Sequence, residues 1–424
     1  MNRAEDLAAR FGTPLYVYDL DRVAAARREL FAALPEGFGL CYAFKANPHP
    51  DIARALRDGG SSSCRAEISS TGELAAALAS GFTGEECFYT GPGKTKAELR
   101  AAISHGVRMF SAESLTDLQH IGGAAVEHGV VVDCLLRINS TTASASTSIR
   151  MTGTPSQFGL DSECLADLAA DLANVPGARV SGAHFFPLSN ARDEEGLIAE
   201  FQHTIGVAAR TQQELGIEFR HLDIGGGFAM PYAVPGGRPL YPKLRAELEN
   251  TLDVHFPQWR TTGPQIFCES GRHLVGGCGE LLCSVVNIKE SRGRTFVILD
   301  AGINAFGGMS GLGRLLPVAV KPWHDALPAD AQGSSQIASL VGPLCTPGDI
   351  LGRDISLPPL SIGDVVAIPN AGAYGVTSSL LMFLGRPAPV EIAVKGGEIV
   401  SVSQLEHNRV YSTAVPAPRP TASR

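Results

Sequence analysis

The sequence has no excess of positive charge: Lys and Arg number 35 against 43 Asp and Glu in 424 residues, for a net charge of -8. Without a general basic field to attract polyanions, nucleic acid and anionic membrane surfaces are not expected partners. No uncharged stretch is long enough to span a bilayer. The opening MNRAEDLAARF mixes both signs of charge with apolar residues at helical spacing and has no apolar targeting core. The nine cysteines are scattered, odd in number and free of any C-x-x-C pair, so no metal site is expected and a reducing cytoplasm fits best. Heptads and internal repeats are also missing.

What is present suits an α/β enzyme. Hydrophobic residues make up 44% of the chain, charged residues 18%, and there are 47 glycines, a composition of folded domains with many tight turns. The length predicts two domains, or one large barrel with an attachment. Between about residues 40 and 270, eight short β-rich runs alternate with helical patterns. The runs are LCYAFK to Lys45, SCRAEIS to Ser69, CFYTG to Gly91, RMFSAES to Ser114, VVVDCLLRI to Ile138, RVSGAHFF to Phe186, FRHLDIG to Gly225 and QIFCES to Ser270. Helical spacing recurs between them over 72–82, 95–106 and 194–216. Eight strands with interleaved crossovers predict a TIM (β/α)8 barrel.

After residue 270 the texture changes to strands and turns, such as ELLCSVVNIKE, RTFVILDAG and PVEIAVKGGEIVSVS, which predicts a mostly antiparallel β domain. TPLYVYDL (13–20) is strand-like and precedes the first barrel unit, so it is free to pair with that domain. The expected division is a barrel over 28–270, a β domain from 1–27 and 271–412, and a Pro-rich disordered tail over 413–424.

Active sites of such barrels lie at the C-terminal ends of the strands. Lys45 ends an aromatic, apolar strand, where desolvation would favour the free amine that Schiff-base chemistry needs. A lone lysine in that position more often snorkels to the surface. Gly225, Gly226 and Gly227 end the seventh strand with backbone N–H groups open to an anion, although a triple glycine alone is more often a tight connection. The eighth strand delivers Glu269, Ser270, Gly271 and Arg272, which could equally be a surface ion pair. Taken together, these ends describe a phosphorylated cofactor held by the last two loops, opposite a lysine and beside a carboxylate. Pyridoxal 5'-phosphate meets that description.

Six motifs in order, YAFKAN (42–47), STGEL (70–74), LDIGGGF (222–228), ESGR (269–272), GPLC (342–345) and AGAYG (371–375), resemble the barrel-type pyridoxal-phosphate amino-acid decarboxylases. That family includes the diaminopimelate, ornithine and arginine decarboxylases and shares the alanine racemase-like fold. The resemblance implies that Lys45 carries the cofactor and Glu269 meets its pyridine nitrogen. It implies that Gly226, Gly227, Gly271, Arg272 and Tyr374 bind phosphate. Cys345 would reach across a homodimer interface to protonate the carbon that loses carbon dioxide. The other eight cysteines read as buried, inert thiols.

Two departures from the family pattern stand out. AHFFPLSN (183–190) replaces the usual His-x-His-x-Gly-Ser: His184 and Ser189 are retained, Phe186 takes the place of the ring-stacking histidine, and Leu188 that of the glycine. Thr346 follows Cys345 where ornithine- and diaminopimelate-type enzymes carry an acidic residue, with Asp349 nearby. The stretches TGTPSQFGLD, GGGFAMPY and GPLCTPGDILGRD are similar to the decarboxylase of butirosin biosynthesis, which acts on glutamate tethered to an acyl carrier protein. A decarboxylase of secondary metabolism is therefore expected, acting on an amino acid whose distal end is not a free amine, with a carrier protein as a candidate partner. Thr346, Asp349 and Arg314, in the loop 303–314, are candidate substrate contacts. The alternatives are a diaminopimelate-, ornithine- or lysine-type decarboxylase, an amino-acid racemase, which Glu269 disfavours, and a non-catalytic cofactor carrier. The Ser/Thr-rich stretch 140–150 reads as a lid or a plain loop.

Overall fold

The computed structural model describes residues 3–140, 149–150, 155–307 and 336–409. The first strand, β1 (Leu15–Asp19), stands apart from the eight that follow. Those are β2 (Gly39–Ala43), β3 (Arg65–Ile68), β4 (Cys87–Tyr89), β5 (Met109–Ala112), β6 (Val132–Asn139), β7 (Ala178–His184), β8 (His221–Asp223) and β9 (Gln265–Ser270). Every neighbouring pair among them is parallel. β2 pairs with both β3 and β9, and β5 pairs with β6, so the sheet closes into the expected TIM barrel. Burial on both faces explains the near-continuous apolar runs: seven of the eight residues of β6 are buried.

Side chains cap the helices directly after the strands, which holds the βα loops at the barrel's upper rim. Ser70 accepts from the N–H of Glu73 at the start of α4 (Thr71–Ala79), after α1 (Arg3–Phe11), α2 (Leu20–Ala33) and α3 (Pro50–Arg57). Thr95 and Glu98 form a capping box on α5 (Lys96–Ser104), and Ser114 caps α6 (Leu115–Glu127). The first two caps fall where helical spacing begins in the sequence.

The second sheet contains eight strands. Its path runs β13 (Ile350–Leu357), β12 (Gln336–Val341), β11 (Arg294–Leu299), β10 (Gly279–Ser291), β1, β15 (Val390–Lys395) and β16 (Glu398–Gln404), with β14 (Val365–Ile368) also on β10. It is mostly antiparallel, with parallel pairs at β1–β15 and β11–β12. Thus TPLYVYDL does join the C-terminal sheet. Leu15, Val17, Leu282, Ile392 and Val394 form a small core there, covered by Leu7 and Phe11 of α1. The division drawn between residues 27 and 28 falls inside α2, which packs on α3 and on the short helix Arg272–Val275.

Two hydrogen bonds tie the sheet to the rim beside Lys45. Asn47 Nδ2 donates to the Gly372 carbonyl (2.9 Å), and the Tyr374 N–H donates to the Ala46 carbonyl (2.6 Å). Among the described residues no helix is long and apolar enough to cross a membrane. Arg314, the tail 413–424 and most of the stretches 140–150 and 303–314 lie outside the described residues.

Candidate active site

Lys45 sits two residues beyond its strand, in a single 3-10 turn (Phe44–Ala46) that follows β2. Its Nζ lies 3.2 Å from Glu67 Oε2 and 5.2 Å from the centre of the Phe186 ring. The side chain is 41% exposed. Burial alone would lower the lysine's pKa, as the apolar strand suggested. The structure reverses that expectation, because Glu67 and then Glu269 outweigh burial and hold the ammonium above its usual range. Glu67 is 2% exposed and also accepts from Thr90 Oγ1.

One pocket gathers most of the residues singled out from sequence: Lys45, Phe186, Ser189, Gly227, Glu269, Gly271, Arg272 and Tyr374 line it together. The glycines are there for space. A Cβ on Gly226 would lie 2.5 Å from the Glu269 carbonyl oxygen, and one on Gly271 would lie 2.7 Å from Ala46 Cβ. At Gly227, φ is +115° and a Cβ would lie 2.3 Å from Leu188 Cδ1, so this position excludes a side chain on two grounds.

Arg272 is 8% exposed, and no carboxylate pairs with it among the described residues. Its guanidinium lies instead over the rings of Tyr374 (4.8 Å) and Tyr232 (5.4 Å). A buried cation without an anion is costly, so this corner is built to receive one. Tyr374 has φ of +53°, a strained conformation for a tyrosine. It is held from both sides, by its N–H bond to Ala46 and by the Tyr232 hydroxyl, which donates to its carbonyl (3.2 Å).

Strand register sets a second group at one level of the barrel: Arg137 on β6 stands beside His184 on β7, which stands beside Asp223 on β8. His184 is fully buried. Burial, then Arg137, depress its pKa well below the ordinary range, so the imidazole is neutral. Its Nδ1 shares a hydrogen bond with Ser111 Oγ (2.8 Å). Its Nε2 lies 2.8 Å from Glu269 Oε1, out of line for a hydrogen bond. Arg137 also covers Phe186, with its guanidinium 5.6 Å from the ring centre. Glu67, Ser111, Arg137 and Asp223 were not singled out from sequence, although all lie in the C-terminal halves of their strands, toward the rim where the barrel rule applies.

The β-domain candidates divide. Tyr374 reaches the pocket, but Cys345 is exposed and, with Thr346, lies outside the pocket lining of its own chain. Asp349 faces its own loop. It is 3% exposed, and its two oxygens accept from the N–H groups of Ile303 and Leu344, both at 2.7 Å, so it shapes that loop. The expectation that the other eight cysteines are buried holds for seven, while Cys164 is exposed at the turn before the helix Leu165–Ala173.

The family model for the pyridoxal binding domain of pyridoxal-dependent decarboxylases matches residues 20–276. An L-glutamyl-[BtrI acyl-carrier protein] decarboxylase from Niallia circulans is 31% identical over 400 residues, which cover 92% of this chain and 91% of the relative. A diaminopimelate decarboxylase from Methanothermobacter thermautotrophicus is 31% identical over 413 residues, or 95% and 91% of the two chains. The crystal structure of diaminopimelate decarboxylase from Helicobacter pylori complexed with L-lysine matches with a TM-score of 0.79 and 28% identity, covering 94% of this chain and 95% of that one. The chain therefore belongs to the pyridoxal-dependent decarboxylases and is an amino-acid decarboxylase that uses pyridoxal phosphate.

Proposed function

We propose that this enzyme removes the α-carboxylate of an amino acid whose distal end carries no free amine, with a carrier-tethered acyl group as one form of substrate, in secondary metabolism. The single observation behind this reading is the fate of Asp349. Thr346 stands where an acidic residue would meet a distal ammonium, and the remaining acid of that turn spends both oxygens on backbone. The named activity of the Niallia relative supports the carrier-bound form.

The pocket fits the cofactor on independent grounds. Arg272 is a buried cation lacking an acid, the glycines leave no room for side chains, and Glu269 Oε1 is buried without a hydrogen bond. When bound, the cofactor supplies an electron sink for the pair released as carbon dioxide leaves. Lys45 would be the amine that holds its aldehyde carbon, and Glu67 anchors that lysine when it is free. Arg272, Tyr374, Ser189 and the backbone of Gly226, Gly227 and Gly271 would bind the phosphate. Phe186 would stack on the ring, with His184 beside Glu269, and Glu269 would keep a proton at the ring nitrogen.

Cys345 of a second chain would supply the proton that replaces the lost carboxylate. The exposure of this thiol outside its own pocket supports a homodimer. So do the exposed apolar side chains Leu380, Met382, Phe383 and Leu384, just beyond Tyr374. Nine free cysteines support a cytoplasmic location. We take the barrel as the unit that binds the cofactor and the β domain as the unit that completes a neighbour's site.

Incubating the enzyme with free glutamate, carrier-loaded glutamate, lysine, ornithine and diaminopimelate, with loss of carbon dioxide followed by mass spectrometry, tests the substrate. Turnover of a substrate lacking a distal amine is expected. Conversion of the diamine-forming amino acids alone refutes the reading and favours the diaminopimelate-type alternative, which the Methanothermobacter relative represents.

A further inference from the structure

Asp223 has no part in the steps above, yet it is 1% exposed at the end of β8, and its Oδ2 has no hydrogen-bond partner among the described residues. Its Oδ1 accepts from the Gly225 N–H (2.8 Å). Glu269, on the adjacent strand, is 2% exposed, and its Oε1 also lacks a hydrogen bond. One carboxylate oxygen of each and a ring nitrogen of His184 lie within 4.8 Å of one another. Arg137 Nη1 stands 3.1 Å from His184 Nε2, so that nitrogen already has a donor beside it.

The charged and titratable groups facing the two acids leave them short of positive charge. Lys45, beyond β2, already has Glu67 of β3 at 3.2 Å. Arg137 on β6 is shared with Glu113, beyond β5. Further out, Lys94 pairs with Asp117 at 2.7 Å. His184 is neutral, and burial holds the thiols of Cys41 and Cys268 protonated. Among the described residues, Lys45 and Arg137 are the cations that act on Asp223 and Glu269, and both are shared with further acids, Glu67 and Glu113.

We propose that Asp223 and Glu269 hold one proton between them before the cofactor binds, and that Asp223 is the positioning residue that keeps this proton at the point where Glu269 receives the ring nitrogen. The proposal rests on the reading of Glu269 given above. Burial raises the pKa of both groups, and Glu269 raises that of Asp223 further, while Lys45 and Arg137 lower that of Glu269. On cofactor binding, Glu269 would supply the shared proton to the ring nitrogen, which would leave both acids ionised beside a cationic ring without a proton from solvent.

Infrared spectra of the full-length apoprotein test this directly, recorded above the pH near 7 at which Glu73 and Glu391 ionise. A protonated-carboxyl stretch is expected in the wild type and is removed by Asp223→Asn and by Glu269→Gln. Its absence from the wild type, or its survival in either variant, overturns the proposal. Should a variant fail to fold, isotope-labelled aspartate and isotope-labelled glutamate in the wild type must each shift the band, and a band insensitive to either label overturns the proposal. In the loaded enzyme, Asp223→Asn is expected to lower the pH at which the ring nitrogen loses its proton, read from cofactor absorbance, by roughly one to three units. No shift refutes the role of Asp223. An absorbance unchanged by Glu269→Gln, with the apoprotein result as expected, refutes only the placement of Glu269 at the ring nitrogen.

Discussion

Replacing Arg272 with Met should change the free and the loaded enzyme in opposite directions. In the free protein the guanidinium is buried without an acid, a burden of several kcal/mol for an isolated ion. The two tyrosine rings at 4.8 and 5.4 Å return only ~0.5–2 kcal/mol each. Met fills similar volume without charge, so the apoprotein should keep its stability or gain up to roughly 2 kcal/mol. With cofactor bound, the lost phosphate contact should cost about 2–5 kcal/mol. That corresponds to binding weaker by roughly 30- to 5000-fold. Thermal melts with and without pyridoxal phosphate, together with titration of cofactor into apoprotein, measure both effects. A destabilised apoprotein with unchanged cofactor affinity would mean that Arg272 is an ordinary structural cation, and the phosphate corner would have to be sought elsewhere.

Three further outcomes follow from the same geometry. Burial pushes the carboxyl of Glu391, which accepts from the Tyr18 hydroxyl at 2.8 Å, up to about 7. A native pKa above the unfolded one means that the native state binds more protons, so stability falls as pH rises from about 4.5 to 7. Glu391→Gln should therefore gain on the wild type by on the order of 3 kcal/mol between pH 5 and pH 8, and a melting-temperature difference independent of pH would contradict this. Gly227→Ala must force a Cβ to within 2.3 Å of Leu188 at φ +115°, so a loss of roughly 1–3 kcal/mol and weaker cofactor binding are expected in melts and titrations. Lys45→Ala and Cys345→Ala should each be nearly inactive alone, yet regain partial activity when unfolded and refolded as a mixture, because a mixed dimer contains one intact pair. No recovery would argue against a site shared between chains.

The barrel was legible because strands buried on both faces must be apolar runs, and the rim was legible because helix caps and glycine turns follow them. Even the pairing of β1 with the C-terminal sheet could be anticipated, since a strand that precedes the first βα unit lacks a place in the barrel. The electrostatics were not legible. Lys45 looked desolvated from its own strand, whereas its partner Glu67 comes from the next strand and becomes a neighbour only through the Ala43–Glu67 register. Arg137, His184 and Asp223 likewise meet because three strands place them at one level. The direction of the Asp349 carboxylate was hidden for a related reason: whether a carboxylate faces a pocket or closes its own loop depends on which backbone N–H groups come near it.

The central claim is that Lys45 holds the cofactor in a pocket completed by Glu269 and Arg272. Borohydride reduction of the purified enzyme followed by peptide mass spectrometry tests it most directly, because reduction fixes the cofactor to the lysine that carries it. The label is expected on the peptide containing Lys45 and is lost in Lys45→Ala. A label on Lys94, Lys243 or any other lysine, or labelling that survives Lys45→Ala, would contradict the account.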